Sequence, residues 1–197
     1  MVNCMIAGIG GQGTVLASKL IAAAAMKNGF DVRTTETIGM AQRGGSVVSH
    51  IRIGENIAGI FSPIIPTGKA DAIIAFEPAE AVRQLAFLSS RGKLVVCSTA
   101  VKPFGSSQGN SYDGTAMIDF LKEKTAGLII IDGSEIMRRF AKALNVALLG
   151  AAAESGMFPF DAGTLKETLS EILPERFIEI NNTAFELGRR LYHEYNK

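Results

Sequence analysis

Tryptophan is absent from these 197 residues, and there are only two cysteines and two histidines. Each scarcity excludes a class of chemistry. An iron–sulfur cluster is normally held by four thiolates, so Cys4 and Cys97 cannot hold one between them, and the sequence has no CxxC pair. His50 and His193 are too few and too scattered for a zinc site. Each cysteine lies in an apolar run that reads as a strand, so both are expected to be buried, reduced thiols. Charge of one sign is lacking too: 20 Lys and Arg stand against 19 Asp and Glu, a net +1. A nucleic-acid footprint would need a clustered basic excess, and a base-stacking surface more than 7% aromatics. Long apolar runs are missing as well. The stretch Leu16 to Met26 is broken by Ser18 and Lys19 and is too short to span a bilayer. The chain opens on a strand-like run, Val2 to Ala7, without the basic segment and apolar core of a secretory signal. A cytoplasmic protein with neither membrane nor nucleic-acid partner is expected.

What is present is 47% hydrophobic residues, enough for one sizeable core. The pattern predicts an α/β fold: a Rossmann-like, mostly parallel sheet with an antiparallel hairpin insertion and a helical C-terminal extension. Val2 to Gly8 reads as a buried strand, Gln12 to Asn28 as a helix ended by Gly29, and Asp31 to Glu36 as a second strand parallel to the first. Ser46 to Ile53 alternates, with Gly54-Glu55-Asn56 as a turn and Ile57 to Phe61 as its return strand. Asp71 to Phe76, Lys93 to Cys97 and Leu128 to Ile131 continue the parallel plan. A helix from Pro78 to about Leu88 carries its proline in the first turn, where no backbone donor is needed. Lys102 to Gly114 is polar and glycine-rich, so it reads as a loop leading into a helix within Tyr112 to Lys124. Ser134 is placed to cap the next helix. Helices near Val146 to Glu154, Gly163 to Leu173 and Pro174 to Tyr195 follow. The whole chain reads as one domain, with residues 1–144 as α/β core and 145–197 as helical extension.

The most informative short motif is GIGGQG, Gly8 to Gly13. Gly8, Gly10 and Gly13 have the spacing of a dinucleotide fingerprint, between a strand and a helix. Glycine allows a tight turn and close backbone approach, and the helix start favours an anion. Gly8, Gly10, Gly11, Gln12 and Gly13 are therefore candidate ligand-facing residues. A stand-alone NAD- or FAD-dependent dehydrogenase is one reading, with Glu36 near the place of the ribose acid. A tight turn that binds no dinucleotide is the other. Gln12 and the long segment after Glu36 favour the second.

That segment, ETIGMAQRGG, runs from Glu36 to Gly45. Arg43 offers a planar fork for a carboxylate or phosphate, Gly44 and Gly45 allow close approach, and Glu36 could orient the arginine. A purely structural Arg43–Glu36 pair is the alternative. Met40 could touch an aromatic ligand or simply fill a gap. Glu77 and Glu80, at a strand end and helix start, read as dipole-complementing carboxylates before acid–base catalysts. His50 reads as an ordinary strand histidine. Ser106, Ser107 and Ser111 have no His or Asp arranged nearby, so no hydrolase constellation is present. The Ala147 to Ala153 helix suits close packing, within the chain or in a homodimer.

These motifs carry a resemblance. GIGGQG, ETIGMAQRGG, IRIG at Ile51 to Gly54, SPIIPTGKAD at Ser62 to Asp71 and AFEPAEA at Ala75 to Ala81 occur in order. Asn145-Val146 with Leu149-Gly150, and NNTAFELG at Asn181 to Gly188, extend them. Together they resemble the gamma domain of pyruvate and related 2-oxoacid:ferredoxin oxidoreductases, with the MAQRGG variant most similar to the indolepyruvate-type beta subunits. The resemblance implies a non-redox subunit that binds no cofactor of its own and is inactive alone. Thiamine diphosphate, iron–sulfur clusters and coenzyme A would belong to the complex, which passes electrons to ferredoxin. A large thiamine- and cluster-bearing subunit is the implied partner. A non-catalytic assembly module remains a further reading.

Overall fold

The computed structural model describes residues 1–39, 45–56, 62–101 and 113–196. Six strands form one sheet in the order β2-β3-β1-β4-β5-β6. They are β1 (Val2–Ile9), β2 (Asp31–Ile38), β3 (Ser46–Gly54), β4 (Ala70–Ala75), β5 (Leu88–Cys97) and β6 (Leu128–Ile131). β1, β4, β5 and β6 pair in parallel, while β3 runs antiparallel to both β1 and β2.

Alternation along the strands divides the interior. On β1, Cys4 and Ile6 face one core, and Met5 and Ala7 the other. The first face is covered by α1 (Thr14–Lys27), α5 (Leu144–Glu154), α6 (Ala162–Ile172) and α7 (Glu175–Tyr195). Residues of α2 (Pro78–Gln84) and α3 (Gly114–Lys124) close the second core. A seventh helix, α4 (Gly133–Phe140), follows β6. The result is three layers, the solution for a sheet apolar on both faces.

The expected parallel pairing of β1 with β2 does not form. Both run in the same direction, but β3 lies between them. The reason is burial. β2, DVRTTETI, is polar and exposed along most of its length, which suits an edge. β3, SVVSHIRIG, is buried at seven of nine positions and takes the inner place. The hairpin is therefore β2–β3, closed by the hydrogen bond from Gly39 N to Ser46 O at 2.8 Å. The expected return strand, residues 57–61, lies outside the described residues.

Helix boundaries differ locally. α1 begins at Thr14, with Gly13 as its N-cap in the left-handed conformation. α2 stops at Gln84; a 3-10 turn, Leu85–Phe87, leads straight into β5. Asp132, not Ser134, caps α4: its Oδ1 accepts from Ser134 N at 2.8 Å. The carboxylate one residue before the helix reaches a free first-turn amide, which Ser134, already helical, cannot do for its own helix.

α5 is buried at ten of its eleven positions, as an all-round apolar helix must be. It crosses α7 at backbone contact. A Cβ on Gly188 would lie 1.7 Å from Ala147 O, and one on Gly150 would lie 2.1 Å from Phe185 O. The small residues of α5 serve this contact, so the C-terminal helices and the sheet share a core.

Candidate site at the carboxyl edge of the strands

The parallel strands end together at one edge, where open α/β sheets present ligand sites. β1 delivers the Gly8–Gly13 turn there. Gly11 and Gly13 have φ of 99° and 80°, a region that glycine enters without cost. Gly8 is crowded: a Cβ there would meet Thr14 Cγ2 at 2.9 Å, Gln12 Oε1 at 3.0 Å and Phe76 Cδ2 at 3.1 Å. Gln12 is folded back into the turn. Its Oε1 accepts from Ile9 N at 2.7 Å, and its Nε2 donates to Phe76 O at 3.3 Å. This amide joins the tip of β1 to the residue just beyond β4.

The two glycine-rich segments meet. Gly10 N donates to Gly45 O at 2.8 Å. Gly45 is followed by Ser46, whose hydroxyl donates to Glu80 Oε2 at 2.5 Å. Glu80 is 1% exposed and is also paired with Arg83. Beside it, Glu77 caps α2, its Oε2 accepting from Ala79 N at 2.8 Å and Glu80 N at 3.1 Å. Glu77 thus performs the expected capping, while Glu80 reaches across to the hairpin.

On the other side, Asn145 Nδ2 donates to Gly13 O at 3.3 Å. This brings the start of α5 against the turn. Neither the Ser46–Glu80 bond nor the Asn145–Gly13 bond has a local sequence signal. The only hint is a buried polar residue within an apolar helix, Asn145 at 4% exposure.

Other candidates are placed elsewhere. Glu36 stands on the exposed edge strand opposite Ser49, which in turn faces Ile6. Two strand spacings, roughly 10 Å, separate it from β1. The ribose acid of a dinucleotide fold follows the strand adjacent to the glycine turn; here β3 occupies that place. The dehydrogenase reading therefore loses its second anchor. Met40, Arg43 and Gly44 lie outside the described residues, as do Ser106, Ser107 and Ser111. His50 is buried and accepts from Ile65 N at 3.2 Å through Nδ1, and desolvation lowers its pKa. It is a core acceptor remote from the turn. Cys4 and Cys97 are buried and free. Among the described residues no group of His, Cys, Asp and Glu could hold a metal, and no helix is long and apolar enough to cross a membrane.

The fold and site thus define a class: a three-layer α/β domain whose glycine turn is tied to a second glycine-rich segment in place of a ribose acid. The family model described as pyruvate ferredoxin/flavodoxin oxidoreductase matches residues 3–191. Indolepyruvate oxidoreductase subunit IorB of Methanothermobacter thermautotrophicus is 37% identical over 190 residues, 94% of this chain and 95% of its own. The chain belongs to the pyruvate ferredoxin/flavodoxin oxidoreductase family. Its fold is that of the gamma subunit of a keto/oxoacid ferredoxin oxidoreductase from Geobacter sulfurreducens, with a TM-score of 0.70 over 98% of this chain and 99% of that one at 20% identity. It also matches 31% of a chain of 2-oxoglutarate:ferredoxin oxidoreductase from Magnetococcus marinus, at a TM-score of 0.71, 22% identity and 98% coverage of this chain; that enzyme was solved with 2-oxoglutarate, coenzyme A and succinyl-CoA bound. No comparison supports a dinucleotide-dependent dehydrogenase.

Proposed function

We propose that this chain is the small, cofactor-free subunit of a cytoplasmic 2-oxoacid:ferredoxin oxidoreductase acting on arylpyruvates of the indolepyruvate class. The observation that carries this is the 37% identity to an indolepyruvate oxidoreductase subunit over almost the full length of both chains. The chemistry of the residues supports it. With two buried thiols the chain has no ligand set for a cluster, so the redox groups belong to a larger partner. Bound there, thiamine diphosphate would supply the decarboxylation of the 2-oxoacid, the clusters would carry the released electron pair to ferredoxin, and coenzyme A would accept the acyl group.

This subunit contributes one wall of the reaction cavity, built from Gly8, Gly10, Gly11, Gln12, Gly13, Gly44 and Gly45. Arg43, with Glu36 in the same segment, meets a substrate carboxylate or a coenzyme A phosphate. The chain alone is inactive, because the groups that decarboxylate the 2-oxoacid and carry its electrons belong to the partner. The test is reconstitution with the candidate large chain and an assay of arylpyruvate-dependent ferredoxin reduction. Activity should need both chains, and Arg43→Ala should raise the Michaelis constant for the 2-oxoacid or for coenzyme A. Full turnover by the partner alone would remove this function, and unchanged kinetics in the variant would remove Arg43 from the site.

A further inference from the structure

We infer that Glu80 is a positioning residue that sets the two glycine-rich segments through Ser46; its kinetic consequence rests on the function proposed above. The juxtaposition is specific. Ser46 is held three ways: its hydroxyl donates to Glu80 Oε2 at 2.5 Å, its carbonyl accepts from Gly39 N at 2.8 Å, and it follows Gly45, whose carbonyl accepts from Gly10 N at 2.8 Å. Fixing Ser46 therefore fixes Gly39, Gly45 and Gly10 together. Glu80 is suited to the task because it is buried and bonded at both oxygens. It lies on α2, which Glu77 caps through two backbone amides, and its other oxygen is paired with Arg83. At 1% exposure, the carboxylate exchanges little with water, so its bond to Ser46 is not diluted by solvent.

Two features separate this role from simple capping. A dipole-complementing Glu in the first turn of a helix needs no partner on another element. Glu80 spends one oxygen on a strand 34 residues away in sequence. Glycine at positions 10, 39 and 45 also offers no side chain to hold the segments together. Among the described residues, their mutual placement rests on backbone hydrogen bonds and on the Ser46–Glu80 side-chain bond.

The test uses four variants, Glu80→Ala, Glu80→Gln, Ser46→Ala and the Glu80→Ala/Ser46→Ala double. Hydrogen exchange of the Gly10 amide in the chain alone reads the placement without any activity. Exchange should quicken on the order of tenfold in Ser46→Ala and Glu80→Ala, with the double no worse than Glu80→Ala. Glu80→Gln keeps an acceptor for Ser46 and should retain most of the protection. In the reconstituted complex, kcat/KM for the 2-oxoacid should fall about tenfold or more in Ser46→Ala and Glu80→Ala, as sub-ångström misplacement predicts, while affinity for the partner chain holds within about twofold. Ser46→Ala guards against a Glu80→Ala that fails to fold. Unchanged Gly10 exchange in Ser46→Ala, or a Glu80→Gln as impaired as Glu80→Ala, would overturn the inference. Altered exchange with a wild-type complex that never reduces ferredoxin would leave Glu80 as the strut and remove the proposed function instead.

Discussion

Asn145 and Gly13, 132 residues apart in sequence, are joined by a hydrogen bond from the side-chain amide to the carbonyl oxygen at 3.3 Å. The same side chain occupies the space a Cβ on Gly13 would need, since its Nδ2 lies 2.4 Å from that position. The last third of the chain therefore reaches back to shape the first turn. The buried Asn145 amide finds its acceptor in Gly13 O, which also takes the first helical bond from Ala17 N at 3.0 Å.

Gly13→Ala is expected to destabilise the protein by about 2–4 kcal/mol. A left-handed φ costs a non-glycine residue roughly 1–2 kcal/mol, and displacing Asn145 adds an overpacking cost of similar size. Urea unfolding checks the sum. The Gly13→Ala/Asn145→Ala double should fall short of additivity, because the second change removes the clash created by the first.

The α5–α7 crossing makes a sharper prediction. A methyl at Gly188 would sit 1.7 Å from Ala147 O, a contact with backbone that no rotamer relieves. Gly188→Ala should cost about 3 kcal/mol, the upper end for overpacking. In a chain of this length that lowers the melting temperature by roughly 10 °C. A calorimetric midpoint within a degree or two of the wild type would mean that the helices are less tightly crossed.

Both thiols should be inert in the folded chain. Burial, with a smaller push from the Asp71 charge, raises the Cys4 pKa to about 12. Burial also raises Cys97; hydrogen bonds at Thr99 oppose this, and the charges of Asp132 and Glu77 add to it. The thiolate is the nucleophile, so Ellman's reagent at pH 8 should release no colour until urea is added, and then should report both cysteines. A fast native phase would contradict the burial of at least one.

Strong acid should weaken the C-terminal layer. Arg189 holds Glu154 below its ordinary value of 4.5 by hydrogen bonding, with help from His193 and against burial. Lys166 does the same for Glu186, and the Thr164 amide lowers Asp161 at the cap of α6. All three carboxyls are depressed in the folded state. They add stability that is fully present above their unfolded values and is lost as pH falls through the folded ones. Urea midpoints should decline as pH falls below about 6.5, where His50, its pKa lowered by burial, gains a proton on unfolding, and should fall further below about 4.5 as these carboxyls protonate. Arg189→Ala should show a shallower acid decline than the wild type.

The sequence by itself determined the class of fold. Periodicity marks β1, α1, β4, β5, β6 and the three last helices, because apolar spacing reports which side of each element must leave water. The sequence also shows two thiols where a cluster is normally held by four, and GIGGQG marks the tight turn after β1. Only the tertiary structure decided that β3, not β2, lies beside β1. Both run as extended segments, and nothing in their spacing names a neighbour; the choice was made by burial of both faces of β3. It likewise decided that Gly10 meets Gly45, that Ser46 meets Glu80 and that Asn145 meets Gly13. Such contacts join segments distant in the chain, and local pattern carries no record of a partner that folding alone brings within reach.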